Sequence, residues 1–160
     1  MAPSNTGKML EKILLVLAIF GIIISVWLTW HHYWVNYQNG GSDWCDIADK
    51  INCDTIARSE YAAVHGVPAA LLGLFWFAVA AAFAFPFTDK ILKGKSHLFL
   101  LGWSVLGLLA IFSFIRAEFA LGVWCVACTL AHATGIGIFG IALLNYKIHR
   151  KVEDENNSNS

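Results

Sequence analysis

Two cysteine pairs carry the chemistry this sequence offers. Cys125 and Cys128 stand three residues apart and His132 follows four later, within Trp124-Cys125-Val126-Ala127-Cys128-Thr129-Leu130-Ala131-His132. On a helix these three side chains fall within an arc of about 60°, and His132 lies about 10 Å further along the axis than Cys125. The other pair, Cys45 and Cys53, sits in a polar stretch with seven residues between the thiols. Taken alone, Cys45 and Cys53 suit a structural disulfide that staples a loop, and Cys125 and Cys128 suit two small buried hydrophobes. Zinc suits the four less well, because metal sites add His or Cys at short spacings near each pair. A thiol–disulfide relay uses all four thiols and leaves none over. Helix N-termini favour the thiolate that exchange requires, and Cys125 stands at or near one. A dithiol at the mouth of a membrane helix, with an imidazole below it, is laid out for a lipid-soluble acceptor.

The elements that must position these groups are membrane helices. Of 160 residues, 58% are hydrophobic and 14% charged, and the mean hydropathy is +0.60. Soluble domains carry about a quarter charged residues. The formal net charge is zero, which gives no electrostatic footprint for nucleic acid. The length suits one domain.

Ile13 to Trp30 runs eighteen residues without a charge, enough for a helix of about 27 Å. A cleavable signal peptide has a shorter apolar core that ends in small residues. This run instead ends in Trp27, Trp30, His31, His32, Tyr33 and Trp34, an interfacial aromatic belt, so a retained first helix is expected. The charge-free stretch from Tyr61 to Thr88 predicts a second span, opened by His65-Gly66-Val67-Pro68 and closed by Pro86. Ser96 to Ile115 is the third run, with Gly102 and Gly107 permitting close helix approach. Arg116-Ala117-Glu118 reads as a polar break before the fourth run, Phe119 to Tyr146, where Gly135, Gly137 and Gly140 offer a thin packing face.

The expected fold is therefore all-α, a polytopic four-transmembrane-helix bundle. Residues 13–146 form the membrane domain, flanked by a short segment 1–12 and a polar tail 147–160. The substantial loop is residues 36–61, with a turn at Asn39-Gly40-Gly41-Ser42 followed by Asp43, Asp46, Asp49, Asp54 and Glu60. Within it Ile47, Ala48 and Ile51 recur at helical spacing and predict a short amphipathic helix on the membrane surface.

Four spans put both termini on one side. Lys8, Lys12, Lys90, Lys93, Lys95, Lys147, Arg150 and Lys151 fall on that side, against Lys50, Arg58 and Arg116 on the other. The positive-inside rule then makes the termini cytoplasmic and turns all four thiols to the oxidising, periplasmic or extracellular face of a cell (inner) membrane.

The order of these features resembles the vitamin K epoxide reductase family, in a prokaryotic type without a fused thioredoxin-like domain. The loop pair Cys45 and Cys53 comes first, then Ser59, then Gly66-Val67-Pro68 opening the second run, then Cys125-Val126-Ala127-Cys128 with His132. Another four-helix family of disulfide generators places its Cys-x-x-Cys after helix one and its second pair after helix three, the reverse of the order here. The resemblance covers about Ile13 to Tyr146. It implies that Cys45 exchanges with a thioredoxin-like soluble protein on the outward face, and that Cys53 exchanges with Cys125. Cys128 then faces a quinone and passes electrons to it, with no metal. The resemblance also places Ser59 near the active site, His132 where a tyrosine of the vertebrate proteins hydrogen-bonds the quinone oxygen, and His65 near a polar ligand contact. The histidine and Gly66-Val67-Pro68 depart from the vertebrate pattern and argue for ubiquinone or menaquinone over vitamin K epoxide.

Other residues read more plainly. His31 and His32 are expected at the membrane interface, and His97 and His149 at the cytoplasmic end, away from the thiols. Arg58 is expected to be solvated, and Trp44 and Trp124 flank cysteines at the aromatic belt. The rival functions are a non-catalytic assembly factor or carrier with one staple disulfide, and a haem carrier using His65 and His132.

Overall fold

The structure is a computed structural model and describes residues 5–38, 40–41 and 45–158. The chain runs through α1 (Asn5–Tyr37), α2 (Cys53–Arg58), a 3-10 turn (Glu60–Ala62), β1 (Ala63–Val64), β2 (Val67–Pro68), α3 (Ala69–Ala82), α4 (Pro86–Ile91), α5 (Ser96–Leu121) and α6 (Val126–Ser158). It is a helical membrane protein. Among the described residues α1, α5 and α6 are long and apolar enough to cross a bilayer, and α3 is a shorter apolar helix of 14 residues.

Helix α1 is the hub, packing on α3 along one side and α6 along another, while α5 packs on α6. The mid-bundle core is Leu14 and Ala18 of α1, Phe77 and Ala80 of α3, Leu100 of α5, and Ile138 and Ala142 of α6. Side chains such as Val16, Ile23, Phe75, Leu109 and Phe112 point away from it and are more than half exposed. An apolar outer surface of that kind belongs against lipid.

Two close approaches fix the helix pairs. A Cβ at Gly21 would collide with the Phe77 ring, and one at Gly107 with the Trp76 indole. Trp76 and Trp103 then tie α3 to α5 reciprocally: each indole N–H donates to the other residue's carbonyl at 3.1 Å. Gly102 and Gly140, expected at helix contacts, have open space around them.

The second run is less helical than its composition predicts. Residues 60–68 form the 3-10 turn and an antiparallel hairpin of two-residue strands, with His65 at φ 51° and Gly66 at φ 82° at its tip. Two successive left-handed residues make a hairpin turn and cannot continue a helix. Pro68, at φ -53° and ψ 130°, then stands at the N-cap of α3.

Two further expectations are corrected. Arg116-Ala117-Glu118 is no break, because α5 continues through it to Leu121. Arg116 escapes to the exposed surface over the Phe112 ring, 5.9 Å from its centroid. The chain breaks instead at Gly122, whose φ of 69° suits a residue without Cβ. The fourth helix accordingly starts at Val126 rather than Phe119. Ile47, Ala48 and Ile51 form no amphipathic helix; Ala48 and Ile51 pair across a tight turn, and the loop's helix is α2. Asn39, Ser42, Asp43 and Trp44 lie outside the described residues.

Candidate functional site

At the end of the bundle where α1 finishes and α6 starts, the core is made of sulfur. Cys45, Cys53 and Cys125 are each 1% exposed or less, packed with Ala127 and bordered by Trp27, Leu28, Ile56 and Cys128. Cys45 and Cys53 are joined as a disulfide, while Cys125 and Cys128 are free thiols. Cys125 Sγ lies 3.2 Å from Cys53 Sγ. The three sulfurs of Cys45, Cys53 and Cys125 all fall within 4.8 Å of one another. Two of them are already bonded to each other, so the cluster does not point to a metal site.

Backbone pairing holds that sulfur–sulfur distance. Residues 50–52 run alongside Trp124 as a short parallel bridge, with Trp124 N–H donating to the Lys50 carbonyl at 2.8 Å and Asn52 N–H to the Trp124 carbonyl at 3.0 Å. The segment just before Cys53 is thereby stitched to the segment just before Cys125. Helix α2 starts under two caps. The Asn52 side chain accepts from Thr55 N–H, and Asp46 Oδ1 accepts from Cys53 N–H at 2.9 Å and more distantly from Asp54 N–H. Both satisfy amide groups that a helix start leaves without partners. Arg58 is exposed, as expected, yet donates to the Gly40 carbonyl, and Asn36 of α1 donates to the Ala57 carbonyl.

Cys125 occupies the position just before α6, and its sulfur accepts the Cys128 N–H at 3.1 Å. A sulfur here takes the place of the Ser or Asp oxygen that ordinarily caps a helix. Thr129 donates both its amide and its hydroxyl to the Cys125 carbonyl. Cys128, one turn on, is half-buried and faces a cavity of about 800 Å³ between α1, α3, α5 and α6. That volume is in the range of small-molecule sites. Cys53, Cys125 and His132 line it too, with a mostly apolar wall that includes Leu72, Trp76, Ile111 and Phe114. The His132 ring stacks on Phe114 at 6.3 Å.

Of the site residues expected from sequence, the four cysteines and His132 meet at this place. His65 borders the same cavity from the hairpin tip, where it is exposed. Ser59 is not brought in: it caps the end of α2, and its hydroxyl donates to the Ile56 carbonyl at 2.7 Å. Two groups at the cavity were missed. His31, expected at the interface, is 1% exposed and stacks on Trp27 at 4.8 Å, with Nε2 3.1 Å from Asp54 Oδ1. The contact has ion-pair distance without hydrogen-bond alignment. Glu118, expected in a polar break, is 3% exposed and lines the cavity wall. Helical phase could have found both: His31 follows Trp27 by one turn, and Glu118 precedes the thiols across a three-residue link at 122–124.

Comparison with known families decides the kind of protein this is. The model of the vitamin K epoxide reductase family matches residues 12–143. The chain belongs to that family. Curated proteins give no match. Membership in the vitamin K epoxide reductase family implies a membrane thiol–disulfide oxidoreductase, and the disulfide beside a free dithiol is the equipment for that chemistry.

Proposed function

We propose that this protein relays electrons from a thioredoxin-like soluble protein through Cys45 and Cys53 to Cys125 and Cys128, and then to a membrane quinone, in support of disulfide formation. The observation that carries the reading is the 3.2 Å approach of Cys125 Sγ to Cys53 Sγ at the rim of an apolar cavity that Cys128 also lines. Reacting atoms held at about 3–3.5 Å are in near-attack range.

The steps balance as two exchanges and one oxidation. A partner dithiol reduces the Cys45–Cys53 disulfide, becoming a disulfide itself. The Cys53 thiolate then bonds to Cys125 as the Cys125–Cys128 bond breaks. Cys45 next bonds to Cys53, and Cys125 leaves as a thiolate that the Cys128 N–H steadies; the protons given up by Cys53 and Cys45 pass to the departing Cys128 and Cys125, which restores a dithiol. The arrangement described here, with Cys45–Cys53 oxidised and Cys125 and Cys128 reduced, is the one that follows. The dithiol then gives two electrons and two protons to the quinone, ubiquinone or menaquinone. His132, on the same cavity, supplies a hydrogen bond to a quinone oxygen. Cys45 is fully buried, so the partner's access to it requires the segment around it to open.

The same reading makes α3 the fourth crossing. At 1.5 Å per residue its 14 residues cover about 21 Å, short of a bilayer core of about 30 Å. Its flanks, residues 61–68 and 83–91, complete the passage between the thiol end and the opposite end. Lys8 and Lys12 of α1 share a groove with Ala84 and Pro86 after α3, and His97 at the start of α5 stacks on His149 late in α6 at 4.4 Å. The lysine-rich segments thus gather away from the thiols, which supports cytoplasmic termini and outward-facing cysteines in the cell membrane.

The test uses detergent-purified protein with a reduced thioredoxin-like partner, following quinone absorbance with soluble ubiquinone and menaquinone analogues. Wild type should reduce one of them and Cys128→Ala should not. Equal loss of quinone in both proteins, or none in either with folded protein, would overturn the relay.

A further inference from the structure

Glu118 is a buried carboxyl that the thiol relay leaves without a task. It sits one turn before the end of α5, 3% exposed, with the Cys125 backbone N–H as the polar group that reaches its carboxyl and no side-chain partner among the described residues. Arg116 offers no charge to it, since its guanidinium lies over Phe112 on the outer surface. A buried carboxyl with so few partners is costly, and such a group in a native structure calls for an explanation. The cavity supplies one. Glu118 lines it together with Cys125, Cys128 and His132.

We infer that Glu118 carries protons between the Cys125–Cys128 dithiol and the quinone, an assignment that rests on the quinone-reduction reading above. Quinone oxygens only accept hydrogen bonds, so a group that binds one must be a donor; a carboxylic acid is a donor and a carboxylate is not. In the overall step the dithiol forms an S–S bond and loses two electrons and two protons, and the quinone gains both to become the hydroquinone. As the ring gains charge, the carboxyl gives its proton to the nearer ring oxygen and takes the proton that leaves Cys128. The proton from Cys125 completes the hydroquinone, and Glu118 ends as it began. Passing a proton together with the electrons keeps a full charge from building in an apolar wall, where it would be expensive. Positioned acid–base groups of this kind contribute about 10²–10⁴-fold to rate.

Glu118→Gln separates proton transfer from binding, because the amide still donates a hydrogen bond but cannot hand over a proton. In quinone-reduction assays on the full-length protein, kcat should fall about 100-fold with KM little changed, and Glu118→Asp should recover part of the rate. Time-resolved infrared spectra taken during quinone reduction should show a transient change of a carboxyl C=O band in wild type that is missing in Glu118→Gln. Alkylation of thiols after dithiothreitol treatment and reoxidation checks that the variant keeps the native pairing. Should Glu118→Gln misfold, the wild-type infrared band and Glu118→Asp decide alone. A Glu118→Gln protein as fast as wild type, or a wild type without a carboxyl band change, overturns the assignment and leaves the relay standing. A wild type that reduces no quinone overturns the relay and this assignment with it.

Discussion

The two cores of this protein are built by different means. The mid-bundle core is a matter of volume: Leu14, Ala18, Phe77, Leu100 and Ile138 fill space, and Gly21 and Gly107 leave room for the Phe77 and Trp76 rings. The core at the thiol end has few large side chains. Three sulfurs, a two-residue bridge at Trp124 and the caps from Asp46 and Asn52 hold it together. Apolar packing of the first kind tolerates volume-conserving exchange. A site that depends on a 3.2 Å sulfur–sulfur approach depends on named atoms, and losing one changes chemistry before it changes stability.

Substitutions at the two ends should therefore separate activity from stability. The largest expected effect is Cys125→Ser, which should take electron transfer from partner to quinone to background while the thermal midpoint in detergent moves little. A comparable loss of midpoint would show that the thiol end also carries the fold. Next comes Gly107→Ala, where the new methyl meets the Trp76 indole. Overpacking of this kind costs on the order of 1–3 kcal/mol, so denaturation in mixed micelles should shift by that amount, with thiol exchange in the folded fraction preserved. Smaller is Asp46→Ala, which strips the acceptor from Cys53 N–H and should cost about 1 kcal/mol. Its informative readout is kinetic: exchange between the two cysteine pairs should slow more than overall stability falls. If stability falls and exchange keeps its rate, the cap does not position the disulfide.

How much of this could be read in the sequence follows the same division. Long apolar runs report membrane helices directly, so α1, α5 and α6 were legible, and the spacing of the four cysteines with His132 pointed to one redox place. Composition is blind to backbone conformation, however. Tyr61 to Thr88 has no charge and reads as a single span, yet His65 and Gly66 turn left-handed and delay α3 to Ala69. Charge is likewise ambiguous at Arg116 and Glu118, which read as a break but face opposite ways from one continuous helix, one to the surface and one into the cavity. Phase with Trp27 marks His31 as inward-facing on α1, but its contact with Asp54 of α2 joins residues far apart in sequence, and no local pattern in α1 encodes that contact. Ser59 is engaged locally, its hydroxyl donating to the Ile56 carbonyl, a contact that its place in the sequence order does not reveal.

The central claim is that Cys53 and Cys125 are the two sulfurs through which the pairs exchange. It is tested most directly in a Cys45→Ser/Cys128→Ser double variant, mildly oxidised in membranes and mapped by mass spectrometry without reduction. The account expects a Cys53–Cys125 disulfide in most of the protein. Two free thiols after the same oxidation, in protein that keeps its fold, would contradict it.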